Sequence, residues 1–258
     1  MHLSLRESGA REPLLVLTTV GVSEASIREL QARDIRVSAV AGDYGLPPDV
    51  ATGISVARWQ GTFAKLAAFE LCHYDKLVFL DADLLINRNI DELFERQHMS
   101  AAVYYGRVHP FAHLSFPNSG VMVIAPRKGL GHEIFAQWPA AVRIGGSFSD
   151  QTLIHIHYNA LFRAADRGWE LPVTYNACAF VLDKIVQHHG LNTKYHAPDD
   201  QTVAVVHFSS PVKPWLMPTL HLLQLYARKV LRGRWHELRS YQRYFSLLHR
   251  VRNSTINV

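Results

Sequence analysis

The chain has 258 residues, 48% of them hydrophobic, enough to bury one full α/β core. Its two cysteines, Cys72 and Cys178, exclude a disulfide framework and a thiolate metal cage, and favour a reducing compartment. The net charge of +5 is uneven: Arg228 to Arg252 hold eight Lys/Arg against Glu237 alone, leaving the rest at −2, which excludes a nucleic-acid-binding body.

In chain order, residues 14–18 read as a buried strand after Pro13. Ser23 is placed to cap a helix with Glu24 in its first turn and Ile27 and Leu30 on one face. Residues 35–40 form the next strand, closing at Gly42. Residues 62–71 read as a helix with Phe63, Leu66 and Ala67 inward, leading to a strand over 76–80. Asn89 caps a short helix holding Leu93 and Phe94. Residues 121–124 are a short apolar strand, followed by helical stretches over 133–142, interrupted by Pro139, and 150–161. A late buried strand covers 203–208. The alternation predicts a single α/β domain over 1–217, with a mixed, mostly parallel sheet flanked by helices, and a basic, aromatic helical tail over 218–258.

The strand over 76–80 runs straight into Asp81-Ala82-Asp83. Side chains at i and i+2 of extended chain share a face, so both carboxylates can converge on one cation that itself holds a diphosphate. Phe116-Pro117-Asn118-Ser119-Gly120 precedes an apolar strand and offers amide, hydroxyl and open backbone to a polyhydroxylated ligand; alone it reads equally as a turn. The loop Gly145-Gly146-Ser147-Phe148-Ser149 delivers Asp150 and Gln151 to a helix start, where Asp150 on its own reads as an N-cap. His207 ends the late strand and suits a third metal ligand; Lys213 can meet a phosphate oxygen. His155 with His157, and His188 with His189, are poorly spaced for a shared ion on a helix and read as structural.

In this order the segments resemble the glycogenin-like glycosyltransferases of family 8. The matching text is residues 76–83, then Asn89-Ile90-Asp91-Glu92-Leu93-Phe94, Asn118-Ser119-Gly120-Val121, Asp150-Gln151, Leu171-Pro172-Val173-Thr174-Tyr175-Asn176, His207-Phe208 and Lys213-Pro214-Trp215. Thr62-Phe63-Ala64-Lys65-Leu66 resembles the family's lysine-bearing helix. The resemblance implies a GT-A fold, a UDP-sugar donor, a manganese ion and hexose transfer with retention of configuration to a glycan, glycolipid or protein acceptor. Carried over, Asp81, Asp83 and His207 hold the ion, and a mixed carboxylate and imidazole shell suits Mn2+ better than Mg2+. Lys65, Ala82, Asn118, Ser119, Gly120, Asp150, Gln151, Ser210 and Lys213 contact the donor, and Asp150, Gln151 and Lys213 serve the chemistry.

Three departures accompany the resemblance. The family opens with a strand and base-gripping loop ahead of its serine-leucine-arginine stretch, whereas here that stretch falls at Met1-His2-Leu3-Ser4-Leu5-Arg6. The first strand is therefore expected to be missing, the uridine pocket incomplete, and a version extended upstream more soluble. Ser210 and Thr152 stand where the family carries glycines. A binding-only or degenerate member is the alternative these departures raise. The tail interleaves arginines with Leu220, Leu222, Leu223, Leu225, Tyr226, Trp235, Tyr241 and Phe245, which describes either an interfacial helix on an anionic membrane or a helix packed on the domain. No apolar run approaches the roughly 20 residues that span a bilayer, and the amino terminus has no signal-peptide pattern, so the expected location is cytoplasmic, peripheral to the inner membrane face, with a homodimer left open.

Overall fold

The computed structural model describes residues 1–40, 44–45, 60–111, 113, 116–144, 149–197, 199–210 and 212–254. The expected strand end at Gly42 and the glycine loop 145–148 lie outside them. After a short helix α1 (His2–Glu7), β1 (Leu15–Thr18) pairs in parallel with β2 (Arg36–Ala39) through the crossover helix α2 (Glu24–Gln31). The Ser23 side chain caps α2, accepting from the Ser26 amide at 3.2 Å.

Residues Gln60–Glu70 form successive 3₁₀ turns, not the α-helix expected there. The spacing explains the difference: Phe63, Leu66 and Phe69, three apart, are 1%, 0% and 0% exposed, and i and i+3 eclipse in a 3₁₀ helix. They pack beneath β3 (Leu77–Leu80), beside Leu130 and Ile134. A second short 3₁₀ turn, Asp91–Glu95, has Ile90 and not the expected Asn89 at its N-cap position; the Asn89 Oδ1 accepts from the Asp91 amide at 2.7 Å, closing the turn just ahead of it.

Two further sheets carry the site. In one, β3 runs antiparallel to β6 (Pro117–Ile124), β6 antiparallel to β5 (Ala101–Val103), and β5 parallel to β7 (Glu170–Leu171). In the other, β9 (Val205–His207) lies between antiparallel β4 (Leu84–Ile86) and parallel β8 (Ala177–Cys178). Parallel and antiparallel pairs are thus equally numerous among the described strands. Strand β6 starts four residues earlier than expected, so Pro117 to Gly120 are buried strand and not a turn. Pro117 opposite Val103 accounts for this, since a proline at the first position of a strand forfeits no interior ladder donor.

Helices cover the sheets. The stretch expected over 133–142 divides into α3 (Leu130–Phe135) and α4 (Trp138–Ile144). Pro139 does not cause the break: it is the second residue of α4, where its missing N–H has no intrahelical partner to lose. The next stretch likewise divides, into α5 (Asp150–His157) and α6 (Asn159–Arg163), and α7 (Leu182–His189) follows.

The tail is two helices, α8 (Thr219–Leu231) and α9 (Trp235–Ser254), separated at Gly233, whose φ of 61° favours glycine. Tyr241 and Leu247 of α9 are buried in the cluster that holds Phe208, and Arg243 and Arg250 pair with Glu7 of α1. The α9 half of the tail is therefore packed on the sheet-bearing part of the chain. No helix among the described residues is long and apolar enough to cross a membrane.

Candidate active site

The turn Asp81-Ala82-Asp83 joins the two site-bearing sheets. Upstream, Leu80 lies opposite Val121, and the Asp81 amide donates to Gly120 O at 2.9 Å. Downstream, Leu84 lies opposite His207, and the Phe208 amide donates to Asp83 O at 2.9 Å. His207 is central in its sheet, paired with Leu84 on one side and Cys178 on the other. The strand pairing alone thus carries the imidazole to the carboxylates: Nε2 is 3.2 Å from Asp83 Oδ1 and 3.8 Å from Asp81 Oδ2.

The ring's orientation is built by residues outside the triad. His207 Nδ1 lies 2.8 Å from Asn176 Oδ1, which can only accept there, so Nδ1 donates to Asn176 and Nε2 is the nitrogen that faces the acids. Asn176 Nδ2 donates to Asn118 Oδ1 at 3.0 Å, and the Gly120 amide donates to the same oxygen at 2.8 Å. Gly120 lies under the imidazole with no room for a β-carbon. One ligand atom each from Asp81, Asp83 and His207 falls within 4.8 Å of the others, a mixed oxygen and nitrogen set that fits a divalent cation.

Two lysines flank the triad. Lys213 Nζ donates to Asp83 Oδ2 at 2.5 Å and to Phe208 O at 3.2 Å. Burial alone would raise the Asp83 pKa, but His207 and Lys213 overrule it and pull the carboxyl down to about 2. Lys65 Nζ bridges Asp150 Oδ2 at 2.9 Å and Asp81 Oδ1 at 3.1 Å, and also donates to Ser119 Oγ at 3.1 Å. Its burial would lower its pKa; the two carboxylates reverse the sign and raise it. Asp150, 4% exposed, is disfavoured as a charge by burial, yet Lys65, Ser119 and Thr62 hold its pKa below the ordinary value. It does not cap α5: that is Ser149, accepting from the Thr152 amide at 3.4 Å, which leaves the Asp150 carboxylate for Lys65.

Lys65, Asp81, Ala82, Asp83, Asn118, Ser119, Asp150, Gln151, His207 and Lys213 line one cavity of about 770 Å³. Gln151 Oε1 accepts the Ser119 amide at 3.1 Å. Two expected donor contacts sit elsewhere. Gly120 is beneath the imidazole, and Ser210 is directed onto Val212 O at 2.7 Å, while its neighbour Ser209 lines the cavity. Asn118 is turned toward Asn176, so its amide supports His207 as well as bordering the cavity. Sequence reasoning quoted Asn176 without giving it a role, and missed Tyr104 and Trp215 as lining residues. Leu15 and Leu17 of β1 and Val78 and Leu80 of β3 also line the cavity, together with Glu12, Thr19, Arg36 and Lys76, and β1 and β3 are not paired.

The family model for glycosyl transferase family 8 matches residues 57–218. Glycogenin-1 of Caenorhabditis elegans is 35% identical over 217 residues, covering 82% of this chain and 46% of that protein. Glycogenin-1 of Oryctolagus cuniculus is 31% identical over 224 residues, covering 82% and 59%. The chain thus spans about half the length of the curated relatives it matches. Among solved structures, apo-form glycosyltransferase GlyE of Streptococcus pneumoniae TIGR4 gives a TM-score of 0.45 at 17% identity, over 91% of this chain and 64% of that one. The family match spans every residue of the acid–imidazole triad and both flanking lysines, and the chain belongs to glycosyl transferase family 8.

Proposed function

We propose that the chain carries out retaining, divalent-metal-dependent transfer of a hexose from a UDP-sugar to a glycan, lipid or protein acceptor. The observation that carries this reading is the convergence of Asp81, Asp83 and His207, flanked by Lys65 and Lys213, on one cavity. Asp81, Asp83 and His207 would hold the ion, with Mn2+ preferred for the mixed ligand set; bound there, it would neutralise the diphosphate and stabilise the departing UDP.

The remaining work falls to the chain's own side chains. Asn176 fixes the His207 tautomer, and Gly120 leaves the ring its place. Lys213 neutralises Asp83 in this structure; once Asp83 is shared with an ion, the ammonium is free to face phosphate oxygens. Asp150 stays ionised although buried, so it can stabilise positive charge developing at the anomeric carbon, with the Gln151 amide beside it. Lys65 keeps Asp150 and Asp81 apart and oriented.

The test is UDP-sugar hydrolysis across a panel of donors, with Mn2+ and with chelator. The reading predicts chelator-sensitive turnover of at least one UDP-hexose. No turnover and no UDP binding under any condition would contradict it. A binding-only reading has one observation behind it: β1 and β3 are not paired, and the apolar side chains of Leu15, Leu17, Val78 and Leu80 are part of the cavity lining there. UDP binding with Mn2+ but without turnover of any donor would favour that second reading.

A further inference from the structure

Helix α8 has two apolar faces, and packing uses one of them. Leu225 and Tyr226 pack on the Phe208 cluster, and the Lys229 ammonium turns inward to Glu237. On the opposite side, Leu220, Leu223, Val230 and Leu231 are 65%, 60%, 46% and 84% exposed. The spacing 220, 223, 227, 230/231 is that of one helical stripe, with Ala227 completing it. Along the chain the stripe is flanked by further exposed apolar side chains, Trp215 and Leu216 just ahead of the helix and Trp235 just after it, with the Trp215 ring 6.3 Å from that of Tyr244 in α9.

The charge beside this row has one sign. Residues 201–236 contain no Asp or Glu. Arg228 and Arg232 are exposed and have no acidic partner among the described residues, while the nearest acid, Glu237, is 1% exposed and already taken by Lys229 and Arg234. A row of large aliphatic side chains, flanked in sequence by tryptophans and bordered by unpaired arginines, matches a surface that is apolar inside and anionic at its boundary.

We propose that the outer face of α8, with Trp215, Leu216 and Trp235, docks on an anionic lipid bilayer. The packed helix α9 serves as its support and not as the lipid-facing element. Trp215 also lines the cavity that holds the acid–imidazole triad, so docking brings the mouth of that cavity to the lipid plane. On the glycosyl-transfer reading, that placement favours acceptors carried in the membrane; the docking itself does not depend on that reading.

The test is co-sedimentation of the full 258-residue chain with vesicles of phosphatidylcholine alone and with 30% phosphatidylglycerol, without donor or metal. We expect binding to the anionic vesicles at least tenfold tighter than to neutral ones and weakened by salt. The double variant Leu223→Glu/Leu231→Glu should lose at least tenfold in vesicle binding while keeping its melting temperature, because both side chains already face solvent. Arg228→Glu/Arg232→Glu should remove the preference for anionic lipid. Equal binding to both vesicle types, or unchanged binding by the Leu variant, would overturn the proposal. So would absence of vesicle binding together with a concentration-dependent dimer, seen by ultracentrifugation, that Leu223→Glu dissolves; that result would assign the face to a second copy.

Discussion

A β-carbon at position 120 would fall onto the His207 imidazole, 2.7 Å from Nδ1, and that ring is pinned between strands with nowhere to move. Gly120→Ala is therefore expected to reduce Mn2+ affinity by roughly 10- to 100-fold through the displaced ligand, measured by titration of free Mn2+, at a stability cost of about 1–3 kcal/mol. Asn176→Ala should weaken the metal by a similar ~10- to 100-fold factor with the ring still in place, because it removes the acceptor that selects the tautomer. Lys65 presents the opposite balance. Its ammonium is the partner of a carboxylate that is 4% exposed, so Lys65→Met leaves Asp150 buried and uncompensated. Breaking such a pair costs about 3–5 kcal/mol, and chemical denaturation should show the double variant Lys65→Met/Asp150→Asn recovering much of that loss.

Among the elements, α3 has a capping partner 60 residues away. Glu70, at the end of the 3₁₀ run, accepts from the Gly129 amide at 2.7 Å and the His132 amide at 3.2 Å, and meets His132 Nδ1 at 3.0 Å. Desolvation pushes its pKa up, but these hydrogen bonds win and hold it below the model-peptide value. A carboxylate with a depressed folded pKa contributes stability that is complete above the unfolded value of about 4.5 and is lost as pH falls through the folded one. Melting temperatures measured from pH 7 down to pH 3 should fall less steeply for Glu70→Gln than for the parent, starting lower at pH 7 by the equivalent of about 0.5–2 kcal/mol for a lost cap. An equal slope would remove Glu70 from the acid sensitivity. The strand before Asp81 was legible in the sequence because an apolar run ends abruptly in two carboxylates. The 3₁₀ run was not, since Phe63, Leu66 and Ala67 fit a helix of either pitch and only the burial of Phe69 separates them. The start of β6 was hidden by Pro117 and Gly120, which locally resemble a turn and are overruled by pairing with β3 and β5. The part played by Asn176 depends on β8 lying beside β9, a contact across some 30 residues that no local pattern reports.

Over the whole molecule, the tail and the site share one core. Phe208 directly follows the metal-facing His207, and its ring meets those of Tyr241 and Tyr244 of α9 at 5.0 and 5.2 Å between centroids. Which of the tail's many leucines and aromatics face inward was not legible in the sequence, because apolar residues occur all around α8 and α9; the fold sorts them, burying Tyr241 and Leu247 and leaving Leu223 and Leu231 outside. Tyr241→Ala should therefore cost about 3–5 kcal/mol and also loosen the site, seen as a lower Tm together with weaker Mn2+ binding below the transition. The central claim is that Asp81, Asp83 and His207 bind one cation together. Titration of the full chain with Mn2+ in the presence of UDP, followed by the electron paramagnetic resonance of the free ion, tests it most directly. The account predicts one tight site per chain, lost by at least tenfold in Asp83→Asn and in His207→Ala. Undiminished binding by His207→Ala, or binding that ignores both substitutions, would contradict it.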